Sequence, residues 1–490
     1  MSVRQNIIAN YLGRSWTALL SLVFVPLYIK FLGVEAYGLI GIYLSLLGLL
    51  AVMDLGLSTT LNRILAQHTT AEASQLRHVV RTFEIAYWSV GIAIGAVIFM
   101  IAPWLATHWI HLKNLSLETV VNTIRLMGGV IVFQWPVSLY SGGLMGLQRQ
   151  ALLNVIRSMT ATIQGGGSVL LLWLISPTIE CFFVWQLLAS LFQVILLGKY
   201  LKKSLPLPLH KPKFELKWLL HNWRFSVGTF GITFLGSILT QMDKLILSKY
   251  LTLTAFGYYT LAGTVSNALA SLSMPIFSAA FPRLTQLHAE GAQSRLAEFY
   301  HKMSQLMAIF MVPIGVTLAF FSTSILSLWL HDPVIVDSVS PILRVMVIGT
   351  VANSIVSMPL ALQLAFGWTK LSFYKNIIAV ILFVPMLMLL ISNYGALGGA
   401  ISWAILNLGY IVFEPWIMHR KILQSEMVQW YVSDLGTVVL ISIVIGAAVW
   451  HFSRHSVHNF WPFILSLSVT WAVLGIFFWR EVKNLFQPAR

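Results

Sequence analysis

Apolar residues occur in long, nearly unbroken runs along the whole chain, and short polar segments separate the runs. Stretches such as VGIAIGAVIFMIAPWLA and VVLISIVIGAAVW approach the roughly 20 residues that a helix needs to cross a bilayer. Strands of a membrane barrel would alternate apolar and polar residues over about 10 residues, and these stretches do not alternate. Because backbone groups inside lipid must be hydrogen-bonded within their own segment, we predict an all-α polytopic membrane protein.

The apolar runs predict about fourteen transmembrane helices. Their limits are 11–29, 37–57, 83–105, 121–143, 151–175, 178–198, 222–242, 255–276, 303–323, 341–364, 371–391, 395–418, 433–451 and 461–479. Composition agrees with this class, since 58% of the 490 residues are hydrophobic and only 10% are charged, against about 25% charged in soluble domains. The single cysteine, Cys181, excludes an internal disulfide and a cysteine-rich metal site, and no metal site is predicted.

Lysine and arginine are distributed unevenly between alternate loops. With a cytoplasmic N-terminus, the inner segments hold 21 of these residues and the outer loops hold five, as the positive-inside rule requires. Both termini are therefore predicted to be cytoplasmic. The net charge of +15 follows from topology and calls for no nucleic-acid partner. The longest basic loop, from Lys199 to Trp218, reads as a cytoplasmic linker that also meets anionic lipid head groups.

The chain also contains an internal repeat. KFLGVEAYG begins at Lys30 and KYLTLTAFG begins at Lys249, 219 positions later, and the same offset carries Arg125 onto Arg344. Each copy holds an even number of spans, so both enter the membrane from the same side. Transporters built from such parallel repeats bind substrate between the halves and work by alternating access. The predicted divisions are a six-helix lobe over 1–198, a linker over 199–221, a second six-helix lobe over 222–420, and two further helices with a tail over 421–490.

These segments resemble a known family. FLGVEAYGLIGIYLSLLGLLAVMDLGLSTTLNRILA resembles the first-to-second-span region of the polysaccharide flippases, which translocate O-antigen and other lipid-linked oligosaccharides. QMDKLILSKYLTLTAFGYYTLAGTVSNALASLSMPIFSAAFPRL is similar to their seventh-to-eighth-span region. The wider superfamily also contains multidrug/toxin extruders and lipid II flippases. Many polysaccharide flippases have twelve spans, so the added pair at 433–479 resembles the fourteen-span lipid II flippases in number.

The resemblance implies a multi-pass protein of the bacterial inner membrane. Such a protein moves an undecaprenyl-diphosphate-linked oligosaccharide, for example an O-antigen unit, from the cytoplasmic to the periplasmic leaflet. The sequence has no G-x-x-x-x-G-K-[ST] motif, so the energy would come from a coupling ion, H⁺ or Na⁺, or from the membrane potential, and no cofactor is expected. The expected partners are the lipid-linked glycan, membrane lipids, and glycan polymerase or ligase machinery.

Charged residues inside the spans give an independent indication of the substrate. A charge at the bilayer centre costs roughly 2.5–3.5 kcal/mol, and arginine's planar fork binds phosphate oxygens in pairs. The five arginines within or at the ends of spans outnumber the three acids, which favours an anionic substrate. The arginines, predicted to line a cavity for the diphosphate and glycan, are Arg14, Arg125, Arg157, Arg224 and Arg344.

The predicted positions along the spans place these arginines at different depths in the membrane. Arg125 and Arg344 lie near the outer ends of spans 4 and 10. There they would either receive or release the diphosphate, or anchor the spans by reaching the outer head groups. Arg14 and Arg157 lie nearer the inner end of the cavity, whereas Arg224 lies one turn into its span and is equally well explained by a side chain that reaches the head groups.

The three acids, Asp54, Asp243 and Glu414, are candidates for ion coupling or for structural ion pairs. Asp54 lies at the cytoplasmic end of span 2, where it could pair with Arg14 on the adjacent helix. Asp243 and Glu414 lie near span ends, where a solvated helix cap is the commoner arrangement.

Two other functions are compatible with a chain of this class. A drug or metabolite exporter of the same fold would carry an acidic pair in its N-terminal cavity, whereas these spans are rich in arginine. A membrane glycan polymerase or ligase would carry a large periplasmic loop, and the longest outer loops here, 106–120 and 324–340, are short. No nucleophile–base arrangement stands out, so a transporter is predicted rather than an enzyme.

Overall fold

The computed structural model describes residues 3–54, 56–67, 73–206, 212–218, 220, 234, 239–453 and 461–478. The side chains of 3–15, 18, 51–53, 73 and 74 are outside the description. Within the described residues the chain is helical, with no strand beyond a single isolated bridge between His111 and Thr252.

We number the helices in chain order. They are α1 (Val3–Met53), α2 (Leu57–Gln67), α3 (Ala73–His108), α4 (Leu117–Gly146), α5 (Gln150–Leu174), α6 (Ile179–Ser204), α7 (239–250), α8 (Leu253–Ser271), α9 (Met274–Ala289), α10 (Gln293–Phe320), α11 (Ser322–Leu330), α12 (Pro333–Ala365), α13 (Thr369–His419), α14 (Met427–Ser453) and α15 (Trp461–Phe477).

The predicted all-α membrane fold is confirmed. In the described part of the chain, nine helices are long and apolar enough to cross a membrane. Two of them, α1 and α13, each hold two predicted spans, because the backbone turns at Gly33 (φ 77°) and at Gly395 (φ 56°). The shorter α15 and the more polar α5 cover spans 14 and 5, and most of span 7 lies outside the described residues.

Two short helices, α2 and α9, were not predicted as separate elements. The first follows the end of α1 near Asp54, and the second follows the end of α8 near Ser273, which is 219 positions later. Helix α2 is amphipathic: it buries Leu61 and Ile64 while its other face stays polar. Hydropathy predicts only where the preceding span ends, because the residues of α2 and of α9 mix apolar and polar side chains.

In the compact unit formed by Met1–Gly257, two of the predicted inner segments contact each other. Arg77, at the start of α3, donates hydrogen bonds to the carbonyl oxygens of Pro206 (2.6 Å) and Lys202 (3.1 Å). The linker continues along α3, where the Glu215 backbone N–H donates to Thr82 Oγ1 (2.9 Å). A hydrogen bond from Lys217 lowers the pKa of the Glu215 carboxyl below its ordinary value.

The predicted outer loops of the same unit meet one another as well. Glu35, which is buried, accepts hydrogen bonds from the backbone N–H groups of Lys113 (2.7 Å) and Asn114 (2.9 Å). Lys249 lies over the Trp109 ring, 5.2 Å from its centroid. Inner segments therefore contact inner segments, and outer loops contact outer loops, as the predicted alternation of spans requires.

The two copies of the repeated motif pack on each other reciprocally. A Cβ added to Gly38 would lie 2.4 Å from the carbonyl oxygen of Leu253, and one added to Gly257 would lie 2.4 Å from that of Val34. Both the glycines and the carbonyls are related by the offset of 219. A contact in which each copy presents the same residues to the other is isologous, so a local two-fold axis passes between the two motifs.

The compact unit formed by Tyr258–Arg490 is organised around α12, which packs on α9, α10 and α13. The added helices α14 and α15 pack on α10, and α14 contains a π-helical stretch over Trp430–Gly436. The division between the two compact units at residue 257 falls later than the predicted linker, and the predicted lobe boundaries stay a prediction.

The reciprocal glycine contact leads to a stability prediction. Gly257→Ala would place a methyl group against backbone that cannot move away easily, and such overpacking costs about 1–3 kcal/mol. We expect the Tm of the purified protein in detergent to fall by several degrees. The matched control is Gly263→Ala on α8, where an added Cβ meets nothing within 4 Å; a Tm loss equal in both variants would contradict the close contact.

Candidate functional site

Three of the five predicted arginines have described side chains. Arg224 lies outside the described residues, and Arg14 lies in α1 with its side chain outside the description. Arg125 and Arg157 belong to the first compact unit and Arg344 to the second. Arg157 is exposed on α5. The predicted convergence of the five on one cavity stays a prediction.

Arg125 lies eight residues into α4, about 12 Å along the helix axis from its start. Its guanidinium carbon is 4.9 Å from the centroid of the Phe99 ring on α3, a distance at which the ring face attracts a cation. Its Nε is buried and has no hydrogen-bond partner among the described residues. A buried donor without an acceptor costs about 1–3 kcal/mol, so this position is suited to an anionic or polar ligand.

Arg344 lies eleven residues into α12, about 16 Å along its axis. Its Nε donates to Ser322 Oγ (2.7 Å) and its Nη2 donates to Thr323 Oγ1 (2.9 Å). Both partners are neutral hydroxyls, and within the described ranges no carboxylate pairs with this guanidinium. The charge is therefore oriented but not neutralised.

Asp54 is held by protein donors at the break between α1 and α2. Its carboxylate accepts hydrogen bonds from the backbone N–H and Oγ of Ser58 (3.2 and 2.6 Å), from Ser138 Oγ (3.0 Å) and from the Tyr87 hydroxyl. These bonds fix the start of α2 to α3 and α4. The predicted pair with Arg14 involves a side chain outside the description and stays a prediction.

Glu414 and Asp243 are not solvated helix caps, because both side chains are buried. Glu414 accepts a hydrogen bond from Lys375 Nζ (2.6 Å) and another from Gln363 Nε2 (2.9 Å). Lys375 also lies 4.4 Å from the centroid of the Tyr410 ring. Sequence reasoning counted Lys375 only as an inner positive charge, since its partner lies 39 residues away along the chain.

A network of side-chain amides in the first unit was missed by sequence reasoning. Gln134 Nε2 on α4 donates to Ser190 Oγ (2.9 Å) and to Gln193 Oε1 (3.2 Å) on α6, and Gln164 on α5 also donates to Gln193. Such bonds hold membrane helices together. They join α4, α5 and α6 within an otherwise apolar bundle.

The second unit contains a related amide contact. Asn353 Nδ2 on α12 donates to Asn407 Oδ1 on α13 (2.8 Å). Asn353 and Gln134 are 219 positions apart, so each copy of the repeat places an amide at the same point of corresponding helices. A comparison of polar residues at the repeat offset would have found this pair in the sequence.

Comparison with known proteins gives two family matches. The family described as "Polysaccharide biosynthesis protein" matches residues 3–288, and the MatE family matches 230–389. A Shigella flexneri protein provisionally named an O-antigen transporter is 20% identical over 89% of this chain and 99% of its own length. The lipopolysaccharide biosynthesis protein WzxC of Escherichia coli K12 is 21% identical over 88% of this chain and 85% of its own length.

Solved structures show the same fold. The lipid II flippase MurJ in an inward closed conformation superposes with a TM-score of 0.75 at 16% identity, covering 98% of this chain and 99% of the MurJ chain. Because the superposition covers 98% of this chain, it includes the added helices α14 and α15. An inward-facing multidrug resistance MATE family transporter superposes with a TM-score of 0.64 at 14% identity. The superposition covers 84% of this chain and 95% of the transporter chain.

The buried pair in the second unit leads to a prediction. Lys375→Met would leave Glu414 as an uncompensated buried carboxylate, which costs about 3–5 kcal/mol, so we expect a large fall in Tm. The double variant Lys375→Met/Glu414→Gln removes both charges and should recover most of the loss. Lys302→Met, which removes the partner of the exposed Glu298, serves as the control and should change little. Losses that simply add in the double variant would contradict a paired charge.

Proposed function

The chain belongs to the polysaccharide biosynthesis protein family, and from this premise we propose that it is a flippase for a lipid-linked oligosaccharide. Its substrate is a glycan on undecaprenyl diphosphate, such as an O-antigen unit. The protein moves this substrate from the cytoplasmic to the periplasmic leaflet of the bacterial inner membrane by alternating access, with both of its own termini on the cytoplasmic side. The name of the Shigella relative, an O-antigen transporter, supports a transporter rather than an enzyme.

The unneutralised arginines are the observation that carries this proposal. Arg125 keeps a buried donor without an acceptor, and Arg344 is held only by hydroxyls. Two of the three candidate acids already have partners: Glu414 is paired with Lys375, and Asp54 accepts hydrogen bonds from hydroxyl and backbone donors. The spans therefore offer open cationic groups, which suit the diphosphate of a lipid-linked glycan.

A drug or metabolite exporter of the same fold is the second candidate, and the MatE match over 230–389 favours it. Such a protein would bind cations through open carboxylates. The first unit holds two of the three candidate acids. Asp54 has its acceptor positions filled by Ser58, Ser138 and Tyr87, and Asp243 is buried. The geometry therefore supports the anionic substrate better.

Deletion of the gene tests the function directly. We expect surface glycan to be lost and its undecaprenyl-diphosphate-linked precursor to accumulate, because the precursor stays in the cytoplasmic leaflet. Mass spectrometry of extracted lipids and gel analysis of surface glycan measure both effects, and plasmid-borne protein should reverse them. Normal surface glycan without accumulated precursor, in a strain with no second flippase, would overturn the proposal.

The arginines provide a sharper test in the same complementation assay. Each charge-assisted hydrogen bond contributes roughly 1.5–3 kcal/mol, so Arg125→Gln or Arg344→Gln should reduce restored glycan about tenfold or more. Arg14→Gln and Arg157→Gln are expected to do the same. Lysine at each position should rescue in part, because it keeps the charge and loses the planar fork.

Arg295→Gln is the matched control for the arginine variants. Arg295 is exposed and paired with Glu290 near the start of α10, so its loss should leave complementation intact. Membrane levels of every variant are compared by immunoblot. Full activity of Arg125→Gln and Arg344→Gln at normal protein level would show that these residues are structural.

A further inference from the structure

A buried ionisable cluster lies where the added helix α14 packs on α10. Its members are His301 on α10, Asp434 in the π-helical stretch of α14, and Glu426 just before α14. His301 and Asp434 are both buried. Two of the three come from the C-terminal segment beyond the repeat, and neither the arginines nor the amide networks involve them.

Both ring nitrogens of His301 face carboxylate oxygens. Nδ1 is 2.5 Å from Asp434 Oδ2, and Nε2 is 3.1 Å from Glu426 Oε2. A neutral imidazole has one N–H and one nitrogen lone pair. If the ring were neutral and both carboxylates ionised, a nitrogen lone pair would face an oxygen lone pair. The geometry is satisfied only when the cluster holds one more proton.

No other cation neutralises the two carboxylates in the described part of the chain. The ion pairs of Asp434 and Glu426 are both with His301, and Gln305 supplies a neutral hydrogen bond to Asp434 Oδ1 (3.0 Å). Without its extra proton the cluster would hold two carboxylates around a neutral ring in a buried place, which is strongly unfavourable. Binding and release of a proton therefore changes the contact between α10 and α14.

The groups around the cluster add no compensating charge at contact distance. Those that titrate and face it are Tyr300 on α10, Tyr431 on α14, His419 at the end of α13 and, beyond Tyr300, Glu414 with its partner Lys375. The His419 ring already binds the Pro415 carbonyl through Nδ1 (2.8 Å). The proton of the cluster is thus shared among His301, Asp434 and Glu426.

Glu426 gives the cluster its access to solvent. Its side chain is 26% exposed, against 7% for His301 and 1% for Asp434. It lies in the segment between α13 and α14, on the predicted cytoplasmic side. The cluster is not arranged as a metal site. The two carboxylates lie on opposite edges of the His301 ring and do not point towards a common centre. Among the described residues, no group of three His, Cys, Asp or Glu could hold a metal ion.

We infer that His301, Asp434 and Glu426 form a proton-binding site, and that this proton is the ion coupled to transport. The inference rests on the proposed flippase function. A proton enters or leaves through Glu426 and resides between His301 and Asp434. While it is bound, His301 on α10 is held by hydrogen bonds to Asp434 and Glu426. Its release leaves two ionised carboxylates against a neutral ring and loosens the π-helical stretch of α14.

Transport under an imposed pH gradient tests the coupling. The full-length protein is reconstituted in phosphatidylethanolamine and phosphatidylglycerol vesicles with undecaprenyl-diphosphate-linked oligosaccharide extracted from the deletion strain. Flipping is scored by the access of external periodate to the glycan. One pH unit supplies about 1.4 kcal/mol per proton, so the wild-type rate should change by up to about tenfold with the gradient.

The variants separate a coupling proton from a structural clamp. His301→Gln and Asp434→Asn should keep gradient-independent flipping and lose the response, so that rates with and without the gradient are equal. Glu298→Gln, which removes an exposed carboxylate on the same helix, should respond as wild type does. A response that persists in His301→Gln, or a wild type that flips glycan but ignores the gradient, would overturn the inference.

A second measurement is independent of flipping. In ¹⁵N-histidine-labelled protein, the His301 signals are identified by their loss in His301→Gln. We expect N–H protons on both ring nitrogens in wild type, and an ordinary neutral ring near pH 7 once Asp434→Asn and Glu426→Gln are combined. A neutral His301 ring beside two ionised carboxylates in wild type would refute the site. Wild-type protein that shows the doubly protonated ring but moves no glycan would instead count against the flippase function.

Discussion

A charged group inside an apolar helix bundle must be matched by a partner, because the surroundings offer neither water nor a high dielectric to stabilise it. This constraint explains the partners of several buried charges. Glu414 is matched by Lys375, Asp54 by hydroxyls and a backbone N–H, and His301 by two carboxylates. Arg125 departs from the pattern, since its buried Nε has no acceptor in the described part of the chain. An unmatched cation in such a setting is best explained by a ligand that supplies the missing charge.

The internal duplication places equivalent residues at equivalent positions of the two copies. Equivalent positions of the two copies approach each other at Gly38 and Gly257, where only a residue without a side chain fits. The copies have nevertheless diverged in chemistry: Arg125 lies over Phe99, whereas its counterpart Arg344 is held by two hydroxyls. Two arginines that are equivalent in sequence therefore present their charges differently.

Much of the fold could be predicted from the sequence, because hydropathy over a span length depends on local composition alone. The offset between KFLGVEAYG and KYLTLTAFG likewise predicted the duplication before any contact was known. Short helices such as α2 were missed, since eleven mixed residues carry little hydropathy signal. The partners of buried charges were also missed: Lys375 lies 39 residues from Glu414, and His301 lies 133 residues from Asp434. Helix packing brings these partners together, and the sequence by itself does not show which distant residues will be in contact.

The central claim is that the open cations of the spans bind the diphosphate of an anionic lipid. The most direct measurement is the affinity of the purified full-length protein for undecaprenyl diphosphate compared with uncharged undecaprenol, which shares the same hydrocarbon chain. Because charge-assisted hydrogen bonds contribute roughly 1.5–3 kcal/mol each, the diphosphate should bind at least about tenfold more tightly. Equal affinity for the two lipids would contradict the account.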